Sequence, residues 1–294
     1  MTVRLPCRAG SFYDASAPVC RQEAQSLLAA AKVPADSPDG MVGGIVPHAG
    51  WTYSGALAAT TFKALAGQHN PATVVLLGAD HFGTLSGGEV YDCGAWATPL
   101  GEVAVDEVLA ARIVAADERL SANCPAHARE HSLEVQVPLV QTLWPEAKIV
   151  PILVAPSPDA VQVGRAVGRA VSDSDGDIVV VGSTDLTHHG GQFGSPGGHG
   201  REGVDWTVAN DRRMIDLIEA MESDRIVAEA AANGNACGAG AIAATIAACS
   251  ELGATTGRCL WYTNSYEVLK ELYPGHGDET TVGYASVVFA GREN

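Results

Sequence analysis

The stretch DIVVVGSTDLTHH (177–189) decides how this chain is read. Its first half is a short β-branched run with no polar alternation, the pattern of a strand covered on both faces. Its second half places Ser183, Thr184, Asp185, His188 and His189 directly after that strand. Working outward, three more runs have the same character: MVGGIVP (41–47), TVVLLGA (73–79) and KIVPILV (148–154). Helical spacing occupies 53–67, SLEVQVPLVQTLW (132–144), DAVQVGRAVGRAV (159–171), about 206–220, 223–232 and an Ala-rich segment at 238–251. Two late strands are expected at RCLWYTN (258–264) and TVGYASVVF (281–289). Strands alternating with helices predict an α/β fold, a three-layer sandwich with a mainly parallel central sheet. No repeat or long linker divides the chain, so residues 1–294 are read as a single domain.

In open α/β sheets, ligands bind beyond the carboxyl ends of the strands. The first run is followed by Pro47-His48-Ala49-Gly50, the second by Asp80-His81-Phe82, the fourth by Asp185 and His188. One histidine at a strand end is usually structural. Three on one edge point to chemistry, since imidazole is both the commonest metal ligand and the physiological base. Cys237 precedes the Ala-rich helix, where amide N–H groups and the helix dipole favour a thiolate. Asp185 is expected to hold a histidine N–H, the usual supporting role beside a metal ligand. In EHSLE (130–134), Ser132 is expected to start a helix. Glu130 and Glu134 would then share one helix face as ordinary surface charge, and His131 would reach the site edge.

Composition narrows the function classes. Acidic residues outnumber basic ones 34 to 18, a formal net charge of −16, which argues against nucleic acid or anionic lipid as partner. No apolar run reaches the ~18 residues of a membrane span. Seven scattered cysteines, with no CxxC pair, read as reduced thiols of a cytoplasmic protein. The Gly- and Ser-rich loop 188–200 is either a lid or a surface insertion.

Taken as an ordered set, several of these segments resemble the Memo family, component B of the AmmeMemoRadiSam group. The matching pieces are SFY (11–13), PHAGWTYSG (47–55), GADHF (78–82), EHSLEVQVP (130–138), PILV (151–154), STDLTHHG (183–190) and NGNACG (233–238). The resemblance implies a scaffold similar to class III extradiol dioxygenases, with a cysteine in place of the carboxylate ligand. It makes His48, His81 and Cys237 the metal ligands and puts Asp185, His188 and His131 around them. It implies iron first, with copper or zinc as alternatives, and partners of radical-SAM and AMMECR-like type. Two departures stand out: Phe82 replaces a histidine common after His81, and the loop after His188 is longer and richer in glycine.

Three functions follow as expectations. One is a metal-dependent oxidoreductase acting on an unidentified small molecule, with His188 or His131 as acid or base. Another is a metal-binding redox partner without turnover. The last is a hydrolase with Cys237 as nucleophile, His188 as base and Asp185 orienting it. A homo-oligomer is compatible with each.

Overall fold

The computed structural model describes residues 2–191, 193–194, 197–198, 200–275 and 280–291. The fold is mixed α/β. Four strands form the centre of the main sheet: β2 (Met41–Val46), β3 (Thr73–Ala79), β8 (Lys148–Val154) and β9 (Ile178–Ser183). They run parallel in the order β2-β9-β3-β8. These are the four apolar runs of the sequence, and nearly every residue in them is buried.

Parallel pairing stops at the flanks. On one side β12 (Thr281–Ala290) pairs antiparallel with β2, and β10 (His188–His189) and β11 (Thr256–Asn264) both pair antiparallel with β12. On the other side β4 (Gly88–Val90) is antiparallel to β8, and β7 (Leu120–Ala122) continues outward. A three-stranded sheet combines β1 (Val3–Arg4), β5 (Ala95–Thr98) and β6 (Gly101–Ala104). The sequence reading passed over these short strands because three or four residues carry too little periodicity to register.

Adjacent glycines in β2 show how the sheet is covered. Successive Cβ positions along a strand face opposite sides. A Cβ on Gly43 would lie 2.7 Å from Cys249 Sγ, whereas one on Gly44 would lie 2.6 Å from the Thr61 methyl. Cys249 belongs to α8 (Ala239–Glu251) and Thr61 to α2 (Trp51–Ala66). The two helices therefore press on opposite faces, each too close for a side chain at that strand position. This arrangement puts the carboxyl ends of β2, β3 and β9 on one open edge.

Three expectations need correcting. The helix expected over 132–144 is an α-helix only at α4 (Val137–Leu143), preceded by a 3-10 turn at Glu134–Gln136. Ser132 starts no helix; its buried hydroxyl accepts the Ala79 amide at the end of β3. The helix expected from 206 begins at Gly200, as α6 (Gly200–Glu219). Of the loop 188–200, positions 192, 195, 196 and 199 lie outside the described residues. Among the described residues, all seven cysteines are free thiols, and no helix is long and apolar enough to cross a membrane.

Behind the open edge, α6 contributes a buried carboxyl. Asp211 accepts hydrogen bonds from Tyr262 Oη (2.7 Å) and the Thr187 amide (2.8 Å). Burial pushes its pKa up to about 7. The folded chain therefore keeps a proton on Asp211 over a range where the unfolded chain, at about 3.9, has lost it. Asp211 accordingly favours folding below that range, and its contribution falls as pH rises through about 7. Asp211→Asn should remove this slope: its stability relative to wild type should rise between about pH 4 and 7 and then level off. Urea unfolding across that range measures it.

Candidate metal centre

Three of the four central strands deliver polar groups to the open edge. β2 ends at Val46 and presents His48, β3 ends at Ala79 and presents His81, and β9 ends at Ser183 and is followed by Asp185. Cys237 arrives from the opposite direction, just before α8. Gly238 makes that approach feasible: a Cβ there would sit 2.7 Å from the Ser183 carbonyl oxygen. Its amide donates to Thr184 Oγ1 (3.0 Å), and the Cys237 amide donates to the Asp185 carbonyl (3.2 Å). The turn into α8 is thus fastened to the end of β9.

The donor atoms of His48, His81 and Cys237 all lie within 4.8 Å of one another. Cys237 Sγ is 3.2 Å from His48 Nε2. The rings of His48 and His81 meet edge to face at 5.0 Å. His131 completes the group, stacked on His81 at 4.6 Å and edge-on to His48 at 5.5 Å.

The surrounding hydrogen bonds settle which ring nitrogen each histidine offers. Ser183 Oγ donates to the Ser132 carbonyl (2.7 Å), so towards His48 it must accept. His48 Nδ1 therefore donates to Ser183 (3.0 Å), and the Nε2 lone pair faces Cys237. His81 Nδ1 donates to Glu130 Oε1 (2.9 Å), which makes Nε2 its metal-facing atom. Both imidazoles are held by the far nitrogen and turned to the same point, as a metal site requires.

Glu130 is the group that the sequence reading underrated. It is buried, not a helix-surface charge. Oε1 also accepts the amides of His131 (2.7 Å) and Ser132 (2.8 Å), and Oε2 accepts the amide of His81 (3.1 Å). Burial alone would raise its pKa, but the bond to His81 and these amides hold it far below the ordinary range. With its oxygens engaged this way, Glu130 holds both the ring and the backbone of His81. Its position directly before His131 was visible in the sequence; its burial was not.

Asp185 does something other than expected. It holds no imidazole: Oδ1 accepts the backbone amide of His48 (2.7 Å), fixing the loop after β2. Burial pushes its pKa up, opposed by His188 and the amides of His48 and Ala49. Nor is His188 paired with Cys237. Its Nδ1 donates to the Leu186 carbonyl (3.0 Å), and its ring packs edge-on against Phe193 at 5.0 Å. The imidazoles beside the thiol are those of His48, at 3.2 Å, and His81.

Electrostatics divide the cluster. Burial, reinforced by neighbouring His81 and His131, drives His48 well below its ordinary pKa, so it is neutral. Burial, then the charge of His81, lowers His131 to about 4. Burial would also lower His81, but Cys237 and Glu130 outweigh it and raise His81 to about 10. For Cys237, burial raises the thiol pKa despite the hydrogen bond from His81. The thiolate expected from the helix start is thus opposed by desolvation, which the hydrogen bond and charge of His81 only partly offset.

His48, His81, His131, Asp185 and His188 line a cavity of about 510 Å³, whose other walls include Phe12, Tyr53, Leu269, Val282 and Tyr284. The N-terminal segment forms one wall. Phe12 accepts the Trp51 amide (2.8 Å) and packs edge-on against His131 at 5.1 Å. Glu134 anchors that segment. It accepts the amides of Cys7 and Arg8, the Tyr13 hydroxyl, and Arg4 Nη1 at 2.8 Å.

Residues 4–288 match the family described as Memo-like protein. A MEMO1 family protein of Methanopyrus kandleri is 36% identical, covering 97% of this chain and 98% of its own. One from Methanothermobacter thermautotrophicus is 35% identical, covering 96% and 99%. The crystal structure of an uncharacterized protein, JW3007 from Escherichia coli K12, aligns with a TM-score of 0.49 at 12% identity, covering 77% of this chain and 91% of that one.

The Arg4–Glu134 pair is almost wholly buried. Removing one partner strands the other charge, so Glu134→Ala should cost about 3–5 kcal/mol of folding stability. Denaturant unfolding at neutral pH measures this, and a loss comparable to an exposed ion pair would contradict the anchoring role.

Proposed function

The chain belongs to the Memo-like family, and from that premise we propose that His48, His81 and Cys237 hold one transition-metal ion for redox chemistry on a small molecule. The observation that carries the reading is the pair of bonds that aim both imidazoles: Ser183 on His48 and Glu130 on His81. Two such histidines beside a half-buried thiol are the arrangement that a shared ion would occupy. Two imidazoles and a thiolate suit iron, copper or zinc; iron is the first choice because a three-ligand set leaves room for substrate. When bound, the ion supplies redox capacity and a coordination position.

The chain's own residues supply the rest. His131 lines the cavity beside His48 and His81, so it is placed to accept a proton from a bound substrate. His188, held through Nδ1 by the Leu186 carbonyl and packed against Phe193, is the second proton-handling group. Asp185 positions the backbone of His48. The aromatic walls favour an apolar or aromatic substrate carrying a metal-binding group. The scaffold, read as one layered domain over the whole chain, is akin to class III extradiol dioxygenases. Cytoplasmic location, radical-SAM and AMMECR-like partners and a homo-oligomer belong to the same proposal.

One observation favours a second reading. The 3.2 Å contact of Cys237 Sγ and His48 Nε2 has the geometry of a nucleophile and its base, as in cysteine hydrolases. The raised thiol pKa counts against it, and it leaves the Glu130–His81 pair without a task.

Metal analysis of protein purified without oxygen separates these readings. His48→Ala and Cys237→Ala should each lose about one equivalent relative to wild type, and Glu130→Gln should weaken affinity about 10–100-fold. Unchanged metal in both alanine variants would sink the site. Metal-free wild-type protein alkylated rapidly at Cys237 would favour the hydrolase. Substrate-dependent oxygen consumption distinguishes an enzyme from a binding protein.

A further inference from the structure

A second thiol-containing cluster lies apart from the open edge. Asp92, Cys93 and Cys124 have one donor atom each, all within 4.8 Å of one another. Asp92 and Cys93 follow β4, and Cys124 opens the 3-10 turn Cys124–His127 after β7. The three residues are half-buried. Cys124 donates to Asp92 Oδ1 at 3.3 Å.

The backbone around this cluster is fastened on every side. The Asn123 amide donates to the Val90 carbonyl (2.9 Å), which prolongs the β4–β7 pairing up to Cys124. The Asn123 side chain caps the following turn through the Ala126 amide. Beyond Cys93, Gly94 donates to Glu107 Oε1 (2.9 Å) and its carbonyl accepts the Val105 amide. The next amide, of Ala95, donates to the Thr2 carbonyl. Arg4, which lines the same cavity as Cys124, is already committed to Glu134. Two thiols and a carboxyl are thus gathered on fastened loops, and among the described residues no cationic side chain is bonded to them.

We propose that Asp92, Cys93 and Cys124 form a second metal site, selective for a thiophilic divalent ion of the zinc class. Two thiolates favour soft or borderline ions, and the carboxylate favours a divalent ion over copper(I). Three protein ligands leave one position of a tetrahedron open. Cys124 also borders a separate cavity of about 470 Å³ lined by Thr2, Arg4 and Tyr91. Binding would release the protons of both thiols to solvent as the metal–sulfur bonds form. Without an ion, burial raises the Cys124 pKa to about 11, so it stays a thiol and donates to Asp92. The ion would join two segments, the loop between β4 and β5 and the turn after β7, neither of which carries a residue of the first cluster.

Cobalt(II) titration of chelator-stripped, reduced protein tests this, with the first site removed by His48→Ala/Cys237→Ser. One equivalent should still bind, with a thiolate-to-cobalt charge-transfer band. Adding Cys93→Ser/Cys124→Ser should abolish it, and Asp92→Asn should weaken it by about tenfold or more. Wild-type protein gives a check that needs no variant: stoichiometric zinc should protect Cys93 and Cys124 together from iodoacetamide, read by peptide mapping. Equal labelling with and without zinc would overturn the proposal. So would no cobalt binding in the folded first-site variant, or a Cys93–Cys124 disulfide in protein purified without reductant or oxygen.

Discussion

Glu130 is the constraint on which the open edge depends. It is a buried carboxylate that accepts four hydrogen bonds, from the ring and amide of His81 and from the amides of His131 and Ser132. Buried charge persists only where such bonds offset its desolvation. The same group therefore orders the loop after β3, orients the proposed ligand His81, and sets the backbone that carries His131 and Ser132. Ser132 passes the order on: its carbonyl accepts from Ser183, which in turn fixes the ring of His48. A chain of bonds runs from Glu130 through residues 131–132 and Ser183 to the second imidazole.

A second buried carboxylate, Glu134, secures the same segment from the other side. Four residues after Glu130, it gathers Arg4, the amides of Cys7 and Arg8, and Tyr13. The N-terminal segment so held brings Phe12 against His131. Charge that resembled helix decoration in the sequence is spent on joining the chain's first residues to the cavity.

How much of this was legible follows from range. The four central strands were readable because a strand buried on both faces needs an unbroken apolar run, and few other structures do. His48, His81 and Asp185 were readable as neighbours because the ends of parallel strands share an edge. Cys237 needed only the start of the Ala-rich helix. The short strands from β4 to β7 were not readable, since their pairing is decided by partners far along the chain. Nor were the partners of Glu130, Glu134 and Asp185. A carboxylate four residues from another fits a helix face equally well, and only burial distinguishes the two cases. The resemblance to the Memo family ranked the histidines, and the family matches bear out that membership. It did not supply the Ser183 and Glu130 bonds that aim the rings.

The central claim is that two Nε2 atoms and one thiolate meet at a single ion. X-ray absorption of iron-loaded protein tests it most directly, in a Cys93→Ser/Cys124→Ser background so that Cys237 is the relevant thiolate. The account predicts one sulfur scatterer and two imidazoles in the first shell, with the sulfur lost in Cys237→Ser. A first shell of oxygen and nitrogen alone, unchanged by Cys237→Ser, would contradict it.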